Sequence, residues 1–213
     1  MKKRILAGLM LSASACLLLA GCGEKSLTDT SVLIHKDGSV TAAIYEEFDT
    51  SVYSSEELEA FISEAVCAYN LDTCGVAESH NDDSESALSI VIDSIEYQDG
   101  KAVLNMVYAS CADYIAFNSE ADQSLVQLAS GTVAGAKEAG LDLAGLSLKS
   151  ADGTETISGA DLKDDAYIVF AEGSKTIVTE GKITYTSDDV TVNSEDTAVI
   201  TEQGNVSCIV FKK

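Results

Sequence analysis

The side chains that most often perform acid–base catalysis are scarce in this chain. Two histidines occur, His35 beside a predicted turn and His80 in a polar loop. Either imidazole could act as a general base. Neither has the spaced partner that a Ser-His-Asp triad or a His-x-His metal pair would supply. We therefore expect both histidines to be ordinary exposed or half-buried residues.

Sequence motifs for nucleophilic and phosphate chemistry are also missing. The chain has no Gly-x-Ser-x-Gly elbow, and no serine stands three residues before a lysine. The segment Gly131–Lys137 looks superficially like a phosphate loop, but Glu138 stands where Ser or Thr should bind magnesium. A glycosidase with two carboxylates from distant positions is an alternative. The lack of tryptophan and an aromatic content of 6% disfavour it, so we expect no enzymatic activity.

Carboxylate clusters are the remaining candidates for ion binding. They lie at Asp82–Glu85, Asp188–Asp189 and Glu195–Asp196. Calcium binds several oxygens of this kind, but no cluster has the spacing of an EF-hand loop. We expect solvated loops, with no metal and no cofactor.

Cysteines are the last reactive group. Those that follow Cys22 are Cys67, Cys74, Cys111 and Cys208. Their spacing is not that of a zinc site. An even number in an exported protein suggests disulfides, and Cys67 could reach Cys74 across the loop Tyr69–Thr73. Four cysteines can pair in more than one way, and the alternative is that they are small buried apolar residues.

The N-terminal segment has the layout of an export signal. Basic residues Lys2–Arg4 precede an apolar run from Ile5 to about Ala20. The run is shorter than the roughly 20 apolar residues of a membrane-spanning helix. One interpretation is an ordinary secretory signal or an uncleaved anchor, in which Cys22 is a bystander like Cys16.

The residues Leu19, Ala20, Gly21 and Cys22 favour a different interpretation, because they resemble the lipobox of bacterial lipoproteins at every position. The resemblance implies that signal peptidase recognises Leu19, Ala20 and Gly21, that the chain is cut before Cys22, and that the Cys22 thiol is diacylated. Two acyl chains would hold the protein at the outer face of the cytoplasmic membrane of a bacterium. Residues 1–21 are then the signal peptide, and residues 22–30 are a flexible tether.

The negative charge of the chain indicates which classes of partner it can bind. The net charge is −22, and without residues 1–21 only 10 basic side chains face 35 acidic ones. Nucleic acid is disfavoured because its affinity comes from Lys and Arg at phosphates. Cations or basic partners are favoured, although self-repulsion that keeps a secreted surface soluble explains the same charge.

Short alternating runs around Asp-Gly turns predict two hairpins, each followed by a helix. The first hairpin joins Ser31–Ile34 to Ser39–Phe48, and the second joins Leu88–Tyr97 to Lys101–Tyr108. Apolar residues spaced three and four apart predict an amphipathic helix over Ser55–Asn70, with Ser54 and Glu57 as a capping box.

Further helices are predicted at Cys111–Asn118 and, less regularly because of Gly131 and Gly135, around Leu125–Ala139. The C-terminal third is predicted to be β-rich. Its strands are expected at Ala166–Phe170, Lys175–Thr179, Lys182–Thr186, Val190–Val192, Ala198–Thr201 and Val206–Lys212.

These patterns predict an α+β fold in which antiparallel hairpins carry an amphipathic helix packed against them. We expect residues 31–148 to form one α+β domain of two hairpin-helix units. Residues 149–213 form a β-rich region, either separate or continuous with that domain.

Five segments together resemble a group of lipoproteins of unassigned activity from Gram-positive anaerobes. They are the lipobox, Lys36–Val40, Ser54–Asn70, Tyr114–Asn118 and Gly181–Ser187. The resemblance supports the predicted location at the membrane and implies no activity. We expect a lipid-anchored, non-catalytic binding or structural module of the cell envelope. A solute-binding lipoprotein of a transporter and a secreted hydrolase are the alternatives.

Overall fold

The computed structural model describes Lys25 and residues 27–80, 87–120, 122, 124–201 and 204–212. These residues are mainly β structure with a few helices, in two sheets of mixed and antiparallel pairing. The strands are β1 Ser31–Ile34, β2 Val40–Glu47, β3 Ile90–Gln98, β4 Lys101–Tyr108, β5 Leu125–Thr132, β6 Ser147–Ser150, β7 Thr156–Ser158, β8 Tyr167–Gly173, β9 Lys175–Thr179, β10 Lys182–Thr186, β11 Val190–Val192, β12 Thr197–Ile200 and β13 Val206–Lys212. The α-helices are α1 Ser55–Cys74, α2 Cys111–Asn118 and α3 Val133–Glu138, and Gly159–Asp161 form a 3-10 turn.

The chain divides into two compact units. Unit 1 contains the described residues up to Ser31 together with Val40–Asp122, and unit 2 contains Val32–Ser39 with the described residues after Asp122. The division falls earlier in the chain than the boundary expected after residue 148. The expected domain organisation stays a prediction.

Unit 1 contains the second predicted hairpin, β3–β4, and the helix predicted after the first hairpin, whereas β1 apart from Ser31 belongs to unit 2. Strands β2, β4 and β3 lie side by side in antiparallel register, and α1 packs against β3. The β3–β4 turn has positive φ at Asp99 and Gly100, +52° and +73°. Two successive positive φ values match the right-handed twist of the flanking strands, which is why Asp-Gly favours hairpins.

Helix α1 begins where the capping box predicts, because the Ser54 hydroxyl accepts a hydrogen bond from the Glu57 amide at 3.2 Å. The predicted end at Asn70 is wrong. The helix continues to Cys74 and ends at Gly75, whose φ is +77°. Asn70 lies on the buried side of α1, in a stripe with Leu58, Ile62 and Val66.

Unit 2 is β-rich, as predicted for the C-terminal third. Strand β1 pairs in parallel with β9, which is followed outward by β12 and β11. The other sheet of this unit has the order β5-β8-β13-β10-β6-β7 and is antiparallel throughout.

The predicted helix around Leu125–Ala139 is wrong over its first half. Residues Leu125–Thr132 form β5, which pairs with β8, and only Val133–Glu138 are helical. The long-range pairing overrides the helical propensity of a segment already weakened by Gly131. Helix α2, by contrast, spans Cys111–Asn118 as predicted.

Candidate functional site

The lipobox residues Leu19, Ala20, Gly21 and Cys22 lie outside the described residues, as does the acidic cluster Asp82–Glu85. Lipid attachment at Cys22 therefore stays a prediction. Within the described ranges, helices long and apolar enough to cross a bilayer are absent.

The structure does not contain the possible disulfide between Cys67 and Cys74. Both thiols are free, and both lie in α1. Seven residues of α-helix rise by about 10 Å, whereas a disulfide needs Cα atoms within roughly 7 Å. The pairing would require the helix to end before Cys74. The sequence pattern predicts such an early end, at Asn70, but the helix continues to Cys74. The Cys74 thiol instead contacts the Asn70 carbonyl oxygen at 3.1 Å.

His35 belongs to a polar cluster in unit 2. Its Nδ1 atom lies 3.9 Å from a Glu180 carboxylate oxygen. Lys36 donates to the same carboxylate through its backbone amide at 2.8 Å and through Nζ at 2.9 Å. These hydrogen bonds lower the pKa of Glu180. The carboxylate thus ties the turn after β1 to the end of β9, which is a structural role.

His80 lies in unit 1 beside a short chain of hydroxyls. Its Nδ1 atom is 3.0 Å from the Ser79 Oγ, which is 2.7 Å from the Ser63 Oγ. Ser79 is buried and its carbonyl oxygen accepts from the Ile92 amide. The contacts fasten the segment before residue 81 to α1 and β3.

In the two acidic clusters that the structure describes, neighbouring side chains form hydrogen bonds or ion pairs with the carboxylates. Asp188 pairs with Lys149 at 2.8 Å, and Asp189 accepts a hydrogen bond from Ser207. Asp196 accepts from Ser194 at 2.7 Å. In the part of the chain that is described, no three His, Cys, Asp or Glu side chains come together as metal ligands would.

Unit 1 contains an open groove with a volume of about 710 Å³. The end of β2, the loop before α1 and the β3–β4 turn form its walls. The groove is lined by Glu47, Phe48, Asp49, Thr50, Tyr53, Tyr97, Gln98, Asp99, Gly100 and Lys101. We call it the aromatic groove.

Three aromatic rings form the apolar surface of the aromatic groove. The Phe48 ring is central: its centroid lies 5.2 Å from that of Tyr97 and 5.8 Å from that of Tyr53. The ring planes are tilted by 47° and 40°, a geometry that aromatic pairs favour over face-to-face stacking. Tyr53 is 60% exposed and the adjacent Val52 is 67% exposed. The outer face of the Tyr53 ring is therefore available to a ligand.

Hydrogen bonds fix the loop that presents Tyr53. The Asp49 carboxylate accepts from the Ser51 amide at 2.9 Å and from its hydroxyl at 2.6 Å. These bonds lower the pKa of Asp49. The Asp49 carbonyl oxygen accepts from the amides of Val52 and Tyr53. The Phe48 amide donates to the Gly100 carbonyl oxygen at 2.7 Å, which ties the loop to the β3–β4 turn.

Carboxylates outnumber amines at the aromatic groove. Among the residues that line the groove, Glu47, Asp49 and Asp99 are acidic and Lys101 is basic. Lys101 is the cross-strand partner of Glu47 in the β2–β4 register. The Tyr97 hydroxyl donates to the Ser55 carbonyl oxygen at 3.2 Å. Burial first, and then the carboxylate of Glu59, raise the pKa of Tyr97 to about 12.

Sequence reasoning does not find the aromatic groove. The sequence pattern places Phe48 and Tyr97 only at strand ends, and the low aromatic content disfavours a stacking cleft. The local signal is that Tyr97 directly precedes the Gln98–Gly100 turn, and nothing in the sequence places Phe48 beside that turn. Tyr53 directly precedes the helix cap Ser54, and nothing in the local pattern shows that it contacts Phe48.

Comparisons of the chain with models of known protein families, with curated proteins and with solved structures gave no match.

Proposed function

We propose that this chain is a lipid-anchored, extracytoplasmic binding module of a bacterial cell envelope, and that the aromatic groove is its ligand site. In this proposal a diacylated Cys22 tethers the protein to the outer face of the cytoplasmic membrane. The lipobox resemblance supports the tether, and the geometry of the aromatic groove supports binding. The proposal involves no cofactor, no catalysis and no nucleic acid.

One observation carries the binding role: two large apolar side chains are held outward by an ordered loop. Val52 and Tyr53 expose most of their surface although burying a large side chain would contribute roughly 1.5–3 kcal/mol. The hydrogen bonds of Asp49 fix the loop instead of letting it fold over the rings. Exposed apolar surface rimmed by polar groups is typical of binding sites, and a preformed site loses little entropy when it binds.

We also propose that the fold belongs to the α+β class, with unit 1 as its clearest element. The β3–β4 hairpin followed by α2 matches the predicted hairpin-helix order, and α1 supplies the helix packed on strands. The aromatic groove lies in this unit.

Saturation-transfer NMR on the full chain, extracted from membranes in detergent, tests the binding role. The probes are benzoate, benzylamine and N-acetylglucosamine, which represent an anion, a cation and a neutral sugar. We expect at least one probe to receive saturation that is lost in Tyr53→Ala. Leu141→Ala is the matched control, because Leu141 is a similarly exposed apolar residue of unit 2. Equal signals from the wild type and Tyr53→Ala for all three probes would refute a ligand site here.

A further inference from the structure

We infer that the aromatic groove binds a basic peptide segment, with an Arg or Lys side chain of the partner placed over the exposed ring of Tyr53. This inference rests on the proposed function and specifies its ligand. It depends on three features of the groove: its charge, its ring faces and its openness.

The charge of the groove favours a cationic ligand. Three acidic residues and one basic residue line it, and the basic residue, Lys101, is the cross-strand partner of Glu47. The carboxylates of Glu56 and Glu59 add to the negative potential near the Tyr97 hydroxyl, since both raise the pKa of that group. The net charge of −22 over the chain would attract a polycation from a distance.

The ring faces give a cation a defined place to bind. A guanidinium or ammonium group is attracted to an aromatic face when it lies within about 6 Å of the ring centroid. Phe48 packs between the other two rings, so the outer face of Tyr53 is the accessible one. The carboxylates of Asp49 and Asp99 line the same groove. An aromatic face with acidic neighbours binds cations better than it binds anions or neutral sugars.

The openness of the groove favours a peptide over a small solute. Sites for small molecules usually enclose most of the ligand, whereas this groove is only partly enclosed. Val52, beside Tyr53, offers apolar surface outside the lining itself. An extended segment could place a basic side chain over Tyr53 and a neighbouring residue against Val52.

Fluorescence anisotropy on the detergent-solubilised full chain tests this inference. The probe is a labelled peptide of repeated Gly-Ser-Arg triplets, compared with the same peptide carrying Gln or Glu in place of Arg. We expect the Arg peptide to bind at least about tenfold more tightly than the Gln peptide, and the Glu peptide not to bind. Affinity should fall with added salt.

Variants of Tyr53 separate a cation–π contact from simple apolar contact. Tyr53→Phe keeps the ring and should keep the affinity. Tyr53→Leu keeps apolar bulk without the ring and should weaken binding by about three- to fivefold, as expected for an exposed cation–π contact. Equal affinities for the Phe and Leu variants would overturn the placement of the cation over the ring.

Charge variants separate the groove from the general negative charge of the protein. Glu47→Gln combined with Asp99→Asn removes two carboxylates of the groove, and Asn tolerates the positive φ at position 99. Glu138→Gln combined with Asp165→Asn removes two exposed carboxylates outside it. We expect the first pair to weaken the Arg peptide by about tenfold and the second pair by less than twofold. Equal losses would overturn the inference in favour of diffuse attraction.

Two further results would overturn the inference and leave the proposed function intact. One is binding of tetramethylammonium as tight as that of the Arg peptide, which would indicate a small-cation site. The other is binding of benzoate or N-acetylglucosamine at Tyr53 without binding of the Arg peptide. If no probe depends on Tyr53, both the inference and the proposed function fail.

Discussion

Replacement of Asn70 by alanine should strongly destabilise unit 1. Asn70 is fully buried in α1, and its side-chain amide donates to the carbonyl oxygens of Glu78 at 2.7 Å and Ile90 at 2.8 Å. Its side-chain oxygen accepts from the Ile90 amide at 2.9 Å. The side chain thus joins the helix to β3 and to the segment between them.

The hydrogen bonds of Asn70 determine how much free energy of unfolding the substitution should remove. Each hydrogen bond contributes roughly 0.5–1.5 kcal/mol, and a buried group left without a partner costs about 1–3 kcal/mol. Asn70→Ala removes three bonds and leaves the Ile90 amide as the most buried orphan. We expect a loss of about 3–5 kcal/mol in the free energy of unfolding, a large part of the roughly 5–15 kcal/mol of a typical protein.

Urea unfolding followed by far-ultraviolet circular dichroism measures this loss. With a slope of about 2 kcal/mol per molar urea, the midpoint of unit 1 should fall by ~1.5–2.5 M. Asn193→Ala removes the same atoms at an exposed position of unit 2 and should change stability by less than about 0.5 kcal/mol. If Asn70→Ala were no more destabilising than Asn193→Ala, the assigned role of Asn70 would be wrong.

Three further predictions concern unit 2 and the thiols. Hydrogen bonds from Ser150 and Thr154 lower the pKa of Asp152 to about 2. The contribution of this carboxylate to folding stability is therefore complete above the ordinary pKa of 3.8 and is lost as the pH falls through 2. A titration midpoint near 3.8 for the carboxyl carbon-13 resonance would contradict this. In the native protein the exposed Cys74 should react with Ellman's reagent. Cys208 is buried, and burial raises its pKa to about 12, so it should react only after unfolding. Equal labelling rates for the two thiols would contradict the burial of Cys208. Gly173→Ala should lower the melting temperature markedly, because φ at Gly173 is +142° and an added Cβ atom would overlap the Ser124 carbonyl. Gly131→Ala is the control and should change the melting temperature little, because the space around Gly131 is open. Equal shifts in melting temperature would show that the close approach at Gly173 is not real.

Local chemistry made part of the fold predictable. Asp99 and Gly100 specify a tight hairpin because both must adopt positive φ. Ser54 and Glu57 mark the start of α1 through a backbone hydrogen bond that depends only on nearby residues. The later strands were predictable because glycine turns separate short β-branched runs.

Long-range contacts made the rest unpredictable. Strand β5 is a strand because β8 pairs with it, and its Leu- and Ala-containing sequence alone favours a helix. The parallel pairing of β1 with β9 joins residues about 145 positions apart, as in Val32 and Ile177. Asn70 ends a helix in many sequences, but here its amide finds partners on β3 and the helix continues.

The aromatic groove was unpredictable for the same reason. Phe48, Tyr53 and Tyr97 come from the end of one strand, a loop and the end of another strand. Each is unremarkable in its own segment. Only the β2–β4–β3 register brings Phe48 beside Tyr97. A hydrogen bond from the Tyr53 amide to the Asp49 carbonyl oxygen then holds Tyr53 near Phe48.

The proposed tether at Cys22 would place the chain in the cell envelope, and intact mass spectrometry of the membrane fraction tests that proposal most directly. The full chain, Cys22→Ala and Cys16→Ala would be produced in a Gram-positive host and compared with and without reduction. We predict a diacylated species beginning at Cys22 for the wild type and for Cys16→Ala. We predict no acylated species for Cys22→Ala, and for the wild type no mass change on reduction attributable to a Cys67–Cys74 bond. A non-acylated wild-type protein, or acylation that survives Cys22→Ala, would contradict the proposed tether.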